Sequence, residues 1–193
     1  MAKLVYINCC LRKEESSTLK IANPIIEALN EKYVIQEIDL NEINLDVLDY
    51  EKFHQRMGGF VREEILGYAK AIAEADRIVI AAPFWDMSFP SRLKVFLEQT
   101  SLFNITFSDD GVSSCHGLCK ATKMLYITTR GGNYPTGSEF EQATPYLKAI
   151  SHLWGIGPLE TIDAYNMDYS TEEVKQAKIN EAIAKGLELV KTF

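Results

Sequence analysis

Positive charge is in short supply: 20 lysines and arginines face 27 aspartates and glutamates, leaving a formal net charge of −7. The broad positive field on which non-specific nucleic-acid binding depends is missing, so nucleic acid is not an expected partner. Long apolar runs are missing too. Those present, such as residues 77–82 (RIVIAA), fall far short of the roughly 20 residues that cross a bilayer. No charged-then-apolar leader precedes Lys3, so no membrane association is expected and the cytoplasm is the expected compartment. Histidine is scarce, and His54, His116 and His152 all fall outside the loops singled out below, which argues against a histidine-based hydrolase. The four cysteines, Cys9, Cys10, Cys115 and Cys119, come as an adjacent pair and a C-x3-C, and adjacent residues rarely bridge each other. A reducing compartment suits them. Cys115, His116 and Cys119 offer three candidate ligands where a structural zinc wants four, so no metal is expected. Neither G-x-G-x-x-G nor G-x-x-x-x-G-K-[ST] occurs, which weakens a dinucleotide or nucleoside-triphosphate fold.

What is there reads as one domain over residues 1–193. With 47% hydrophobic and 24% charged residues, the chain can bury one substantial core without disulfide or metal support. Short β-branched and aromatic runs predict strands over residues 3–8, 34–40, 77–82, 123–128 and 159–164. Apolar residues at helical spacing predict helices over 18–32, 50–57, 61–75, 91–99, 140–154 and 171–192. Pro24 predicts a kink in the first of these, or a later start. Strands alternating with helices require parallel strands joined by right-handed crossovers. The expected fold is α/β, a doubly wound five-stranded parallel sheet of order 2-1-3-4-5 with helices on both faces. Ligands in such sheets sit beyond the carboxyl ends of the strands, so the informative loops should follow strands one, three and four.

After strand one, Ser16, Ser17 and Thr18 stand immediately before a helix. They are either a plain N-cap or hydroxyl donors beside the unpaired N–H groups that hold a phosphate. After strand three comes PFWDMSFP, residues 83–90, whose Phe84, Trp85 and Phe89 either pack the loop onto the core or meet a planar ligand. After strand four, Thr129 and Arg130 offer donors, and Gly131 and Gly132 let the backbone approach a ring closely.

The pairing of PFWDMSFPSRLKVFLEQ with TTRGGNYPTGSEFEQATPYLKAISHLWGIGPLETI resembles the FMN-dependent NADH-azoreductases of the flavodoxin-like quinone reductase superfamily. The family pattern is a Pro-Met-Tyr-Asn-Phe-like loop, then Ser-Arg-Gly-Gly, then a Thr-Pro-Tyr-Leu helix leading to Gly-Ile. The resemblance is dense over residues 76–164 and looser back to Lys3. It implies FMN contacts from Cys10, Ser16, Ser17 and Thr18 at the phosphate. At the ring it implies Pro83, Phe84, Trp85, Asp86 and Met87 with Thr129, Arg130, Gly131 and Gly132. Tyr134 would wall the substrate side. The family is usually a homodimer, and Phe53, Phe60 and Phe107 are candidates to cover the flavin from across the interface. Cys10 stands where the family often has serine, and Asp86 replaces a usual asparagine. The implied activity is electron transfer from NADH or NADPH to quinones, azo compounds or similar flat acceptors, in ping-pong order. Two other readings stay open: an electron carrier without turnover, and a binding domain that has lost its flavin.

Overall fold

The computed structural model describes residues 1–112 and 114–193. Five parallel strands form the main sheet: β1 (Ala2–Asn8), β2 (Tyr33–Asp39), β3 (Arg77–Ala81), β6 (Met124–Thr129) and β7 (Leu159–Ala164). Their order is β2-β1-β3-β6-β7, which is the expected 2-1-3-4-5 once the two strands of a side hairpin are set aside. That hairpin joins β4 (Phe107–Asp109) to β5 (Cys115–Gly117), antiparallel, in a stretch whose sequence carries no strand-length apolar run. The helices are α1 (Ser17–Asn30), α2 (Tyr50–Met57), α3 (Glu63–Glu74), α4 (Ser91–Thr100), α5 (Ala143–Trp154) and α6 (Glu172–Val190). Among the described residues, no helix is long and apolar enough to cross a membrane.

Period-two alternation of the central strands builds two cores, one on each face. Val5, Ile7, Ile78, Ile80, Met124 and Tyr126 face one way, onto α3, α4 and α5 through Ile72, Phe96, Leu97, Leu147 and Trp154. Leu4, Tyr6, Val79, Ala81, Leu125 and Ile127 face the other way, onto α1 and α6 through Ile21, Ile25, Leu29, Ile179 and Val190. Every one of these side chains is buried, so β1, β3 and β6 are fixed in register from both sides.

Two helices differ from expectation. α1 begins at Ser17, ahead of Pro24, and runs through it. The carbonyl that the proline ring cannot serve belongs to Lys20, an exposed residue, while buried Ile21, Ala22, Ile25 and Leu29 hold the helix down. α5 begins at Ala143, three residues late. The cause is Glu141, whose Oε1 accepts from Thr144 N–H at 2.8 Å and caps the first turn. Pro145 is then tolerated within that turn.

The hairpin docks on the carboxyl end of α5. Leu118 N–H donates to Thr106 O and Cys119 N–H to Trp154 O. A Cβ on Gly117 would lie 1.8 Å from Gly155 N, backbone against backbone, with no flexible side chain to yield. Gly117→Ala is therefore expected to cost about 2 kcal/mol or more by overpacking. Gly67, exposed on α3 with nothing within 4 Å of its would-be Cβ, is the counterpart. Gly67→Ala should stabilise by about 0.5–1 kcal/mol. Denaturant unfolding of both variants checks the pair.

Candidate functional site

Four loops leave the carboxyl edge of the sheet side by side, because β1, β3, β6 and β7 are consecutive there. The first turns out of β1 through buried Cys9 and Cys10 into a 3-10 turn at Lys13–Glu15 and then α1. Ser16 is the N-cap, its Oγ accepting from Leu19 N–H at 3.3 Å. Among the described residues, neither Ser17 N–H nor Thr18 N–H has a protein partner. These are the free amides of a helix start, with the positive end of its dipole behind them.

The second loop continues the sheet for one more rung, Phe84 N–H donating to Thr129 O at 3.0 Å. Trp85 and Ser88 then exchange both backbone hydrogen bonds at 2.9 Å across a two-residue turn. Its central residues, Asp86 and Met87, both have positive φ, 48° and 68°. That is the mirror-image turn usually given to Asn-Gly. A methionine there is strained, by about 1–3 kcal/mol. Gln142 N–H holds the turn by donating to Met87 O at 3.0 Å. Asp86 N–H and Met87 N–H find no protein partner among the described residues. Of the three aromatics, Phe84 and Phe89 pack onto the core, and Trp85 stands out 39% exposed.

The third loop is organised by Arg130, whose side chain has no solvent exposure. Nη1 donates to Tyr134 O at 2.7 Å and Asp163 Oδ2 at 2.8 Å, and Nη2 donates to Thr136 Oγ1 at 2.9 Å, with buried Glu141 at 3.9 Å. The guanidinium also lies over the Phe84 ring, 5.6 Å from its centroid. Arg130 thus acts by holding the loop together, and its charge is spent inside the protein.

The fourth loop, after β7, is one that sequence reasoning left out, although the rule placing ligands at strand carboxyl ends covers it equally. It zips onto the third: Asn166 N–H donates to Gly132 O, Met167 N–H to Arg130 O and Asp168 N–H to Gly131 O, at 2.8–3.1 Å. The absence of side chains on the glycine pair is required. A Cβ on Gly131 would fall 2.0 Å from Asp168 Oδ2, and one on Gly132 would fall 2.6 Å from the Tyr134 ring.

These loops enclose two adjoining hollows. One, of about 180 Å³, is lined by Arg12, Ser16, Ser17, Pro83, Thr129, Arg130 and Met167. The other, of about 560 Å³, is lined by Asp86, Met87, Gly132 and Tyr134. Phe84, Trp85, Gly131 and Asp168 border both, so the two are ends of one cleft. Arg12, Met167 and Asp168 are additions to the residues expected from sequence.

Two residues expected at the phosphate, Cys10 and Thr18, lie outside the cleft, and Phe53, Phe60 and Phe107, expected to reach a partner's flavin, lie away from this chain's own cleft. Cys10 is fully buried with its Sγ on Ala81 O at 3.6 Å, because β1 carries it inward beneath the loop. Thr18 is also buried, its hydroxyl 2.7 Å from that of Thr129, where it braces α1 against β6. Phe53, on α2, and Phe60 are exposed and away from the cleft, Phe60 bordering a separate hollow with Leu48, Val61 and Ile65. Phe107 lies in β4 against Phe103, ring centroids 5.9 Å apart.

Burial pushes the Cys10 thiol up to about 12, partly offset by a hydrogen bond with Ser16, and burial pushes Cys9 and Cys119 up to about 12 as well. All three stay protonated thiols at neutral pH, and their reactive anion forms only in strong alkali. Exposed Cys115 is then the residue that iodoacetamide should label in the folded protein near pH 8, with Cys9 and Cys10 labelled only after unfolding. Peptide mass spectrometry reads the order. Removing the buried cation is a second test. Arg130→Met strands Glu141 without its counter-charge and should cost about 3–5 kcal/mol, read by denaturant unfolding.

A family described as having a flavodoxin-like fold matches residues 2–189. An "FMN-dependent NADH:quinone oxidoreductase" from Clostridium perfringens (strain SM101 / Type A) is 35% identical over 201 residues, covering all of both chains. A protein called "FMN-dependent NADH:quinone oxidoreductase 2" from Clostridium acetobutylicum is 34% identical over 204 residues, again with full coverage of both. Among solved structures, an azoreductase from Bacillus anthracis str. Sterne superposes with a TM-score of 0.85 at 20% identity over the whole of both chains. An FMN-dependent NADH-azoreductase from Bacillus anthracis str. Ames Ancestor in complex with FMN gives 0.80 at 20% identity, covering 98% of each.

Proposed function

Because the chain belongs to the flavodoxin-like fold family, we propose that its cleft holds FMN and that the protein is an oxidoreductase passing electrons from NADH or NADPH to a quinone, an azo compound or a similar flat acceptor. The observation that carries the reading is the unspent amides at the two ends of one cleft: that of Ser17, at the start of α1, at one end, and those of Asp86 and Met87 at the other. The donor set fits the group. A phosphate monoester needs several N–H and O–H donors and a positive field, and the α1 start, the Ser17 hydroxyl and the Arg12 guanidinium supply them. The polar edge of a flavin ring needs backbone N–H groups that point out of a stiff turn, and the left-handed turn at Asp86 and Met87 supplies those. Gly131 and Gly132 both line the cleft, and their missing side chains let Asp168 and the Tyr134 ring close its wall against backbone.

When bound, FMN supplies two-electron exchange at its ring, and the protein's contribution is binding, orientation and exclusion. Ser16, Ser17 and Arg12 fix the phosphate end. Trp85, Met87 and Tyr134 wall the wide end while leaving it open to solvent. That one opening must admit donor and acceptor alike, so they use it in turn, and ping-pong kinetics follow. Solvent reaches the opening and can supply the protons, so no side-chain acid is required. The partner expected in solution is a second copy of this chain. Tyr50, Phe53 and Met57 on α2, with Phe60 just beyond, are 49–78% exposed, more apolar surface than an isolated helix of this size normally shows. Four unpaired cysteines accord with a reducing cytoplasm.

The purified protein with FMN should show a flavin absorption spectrum that bleaches on anaerobic titration with NADH and returns on adding menadione. Initial rates should give parallel double-reciprocal lines. A protein that neither takes up FMN nor oxidises NADH contradicts the reading. Ser17→Asp sets a like charge against the phosphate and should raise the FMN dissociation constant roughly a hundredfold, read by quenching of flavin fluorescence.

A further inference from the structure

The wide end of the cleft is anionic. Its lining includes two carboxylates, Asp86 and Asp168, and no lysine or arginine. Neither carboxylate forms an ion pair or a side-chain hydrogen bond among the described residues. Asp86 is exposed at the tip of the left-handed turn, and Asp168 sits directly on the glycine pair, filling the space where a Gly131 side chain would be. The adjacent cation, Arg130, is fully buried and engaged by Tyr134, Thr136, Asp163 and Glu141. Arg12 and Arg130 border only the narrow end, which Asp168 also borders without coming within ion-pair distance of either. Two uncompensated negative charges therefore face whatever enters the wide end, in a concave site where fields are focused. The overall charge of −7 adds a field of the same sign at longer range, which salt screens more readily than the local pair.

Resting on the oxidoreductase reading, we infer that Asp86 and Asp168 make the cleft selective by the charge on the ring that enters it: neutral rings, the donor's uncharged dihydronicotinamide among them, and cationic rings are accepted, and flat rings that themselves carry a sulfonate or carboxylate are rejected. The two residues act as specificity determinants at the acceptor's position. Each can be neutralised with little disturbance, since asparagine is nearly isosteric with aspartate and is well tolerated at positive φ.

Three acceptors of one skeleton test this on the FMN-loaded protein: menadione, 1,4-naphthoquinone-2-sulfonate and a naphthoquinone carrying a quaternary ammonium. Differences in their intrinsic reactivity cancel when each variant is divided by wild type. In Asp86→Asn/Asp168→Asn the kcat/KM of the sulfonate relative to menadione should rise roughly tenfold, and that of the cation should fall comparably, with smaller shifts in each single variant. Equilibrium binding of the sulfonate without NADH, read by quenching of Trp85 emission, should tighten in the same order. Relative values that move less than about twofold overturn charge selectivity and leave the flavoenzyme reading intact. If the protein takes up no FMN, the oxidoreductase reading fails. Trp85 quenching by the three compounds on FMN-free protein then decides the charge question alone, equal affinities in wild type and double variant overturning it.

Discussion

A guanidinium without solvent access must find its counter-charges inside the protein, and Arg130 finds them on elements that are far apart in sequence. Asp163 belongs to β7, Glu141 to the entrance of α5, and Tyr134 and Thr136 to the loop between. Each contact draws one of these elements toward the end of β6. The same group lies over Phe84 and so fixes the start of the loop after β3. Glu141 in turn caps α5, and the next residue, Gln142, donates its N–H to Met87 O and steadies the left-handed turn. A single buried charge thus couples three of the four loops, and the strain at Met87 is held in place by surroundings that over-determine it.

The sheet provides the rest of the convergence. Because β1 pairs with β2 on one side and β3 on the other, chain direction across the sheet reverses beside β1, and the loops after β1 and β3 part to opposite faces. The crevice between them is where the free amides of α1 and of the Asp86–Met87 turn meet the glycine pair of the third loop. The Cys10 thiol, which stands where the resemblance leads one to expect serine, faces Ala81 O and not the cleft.

Much of this was readable in advance, for reasons that differ from element to element. The strands were legible because β-branched runs such as IVI at residues 78–80 are short, continuous and bounded by turn residues. α2 lies at Tyr50–Met57 as expected, and its cap, Asp49 accepting from Lys52 N–H at 2.8 Å, is a signal that the sequence reading did not use. What escaped depends on contacts distant in sequence. The late start of α5 follows from a buried glutamate whose counter-charge lies eleven positions earlier, and the β4–β5 hairpin follows from docking on Gly155. The inward rotation of Arg130, Cys10 and Phe84 is likewise set by tertiary partners that periodicity does not encode. Asp168 was missed for another reason: its loop follows a strand that was correctly placed, but no motif marks it, and it becomes part of the site only through its backbone hydrogen bond to Gly131.

Amide hydrogen exchange with and without FMN tests most directly whether the four loops form one cradle. Protection on adding FMN should appear together in peptides spanning residues 12–18, 84–88, 129–134 and 165–168, with the outer strands unchanged. Protection confined to one of these segments, or centred on the hollow beside Phe60, would contradict the account.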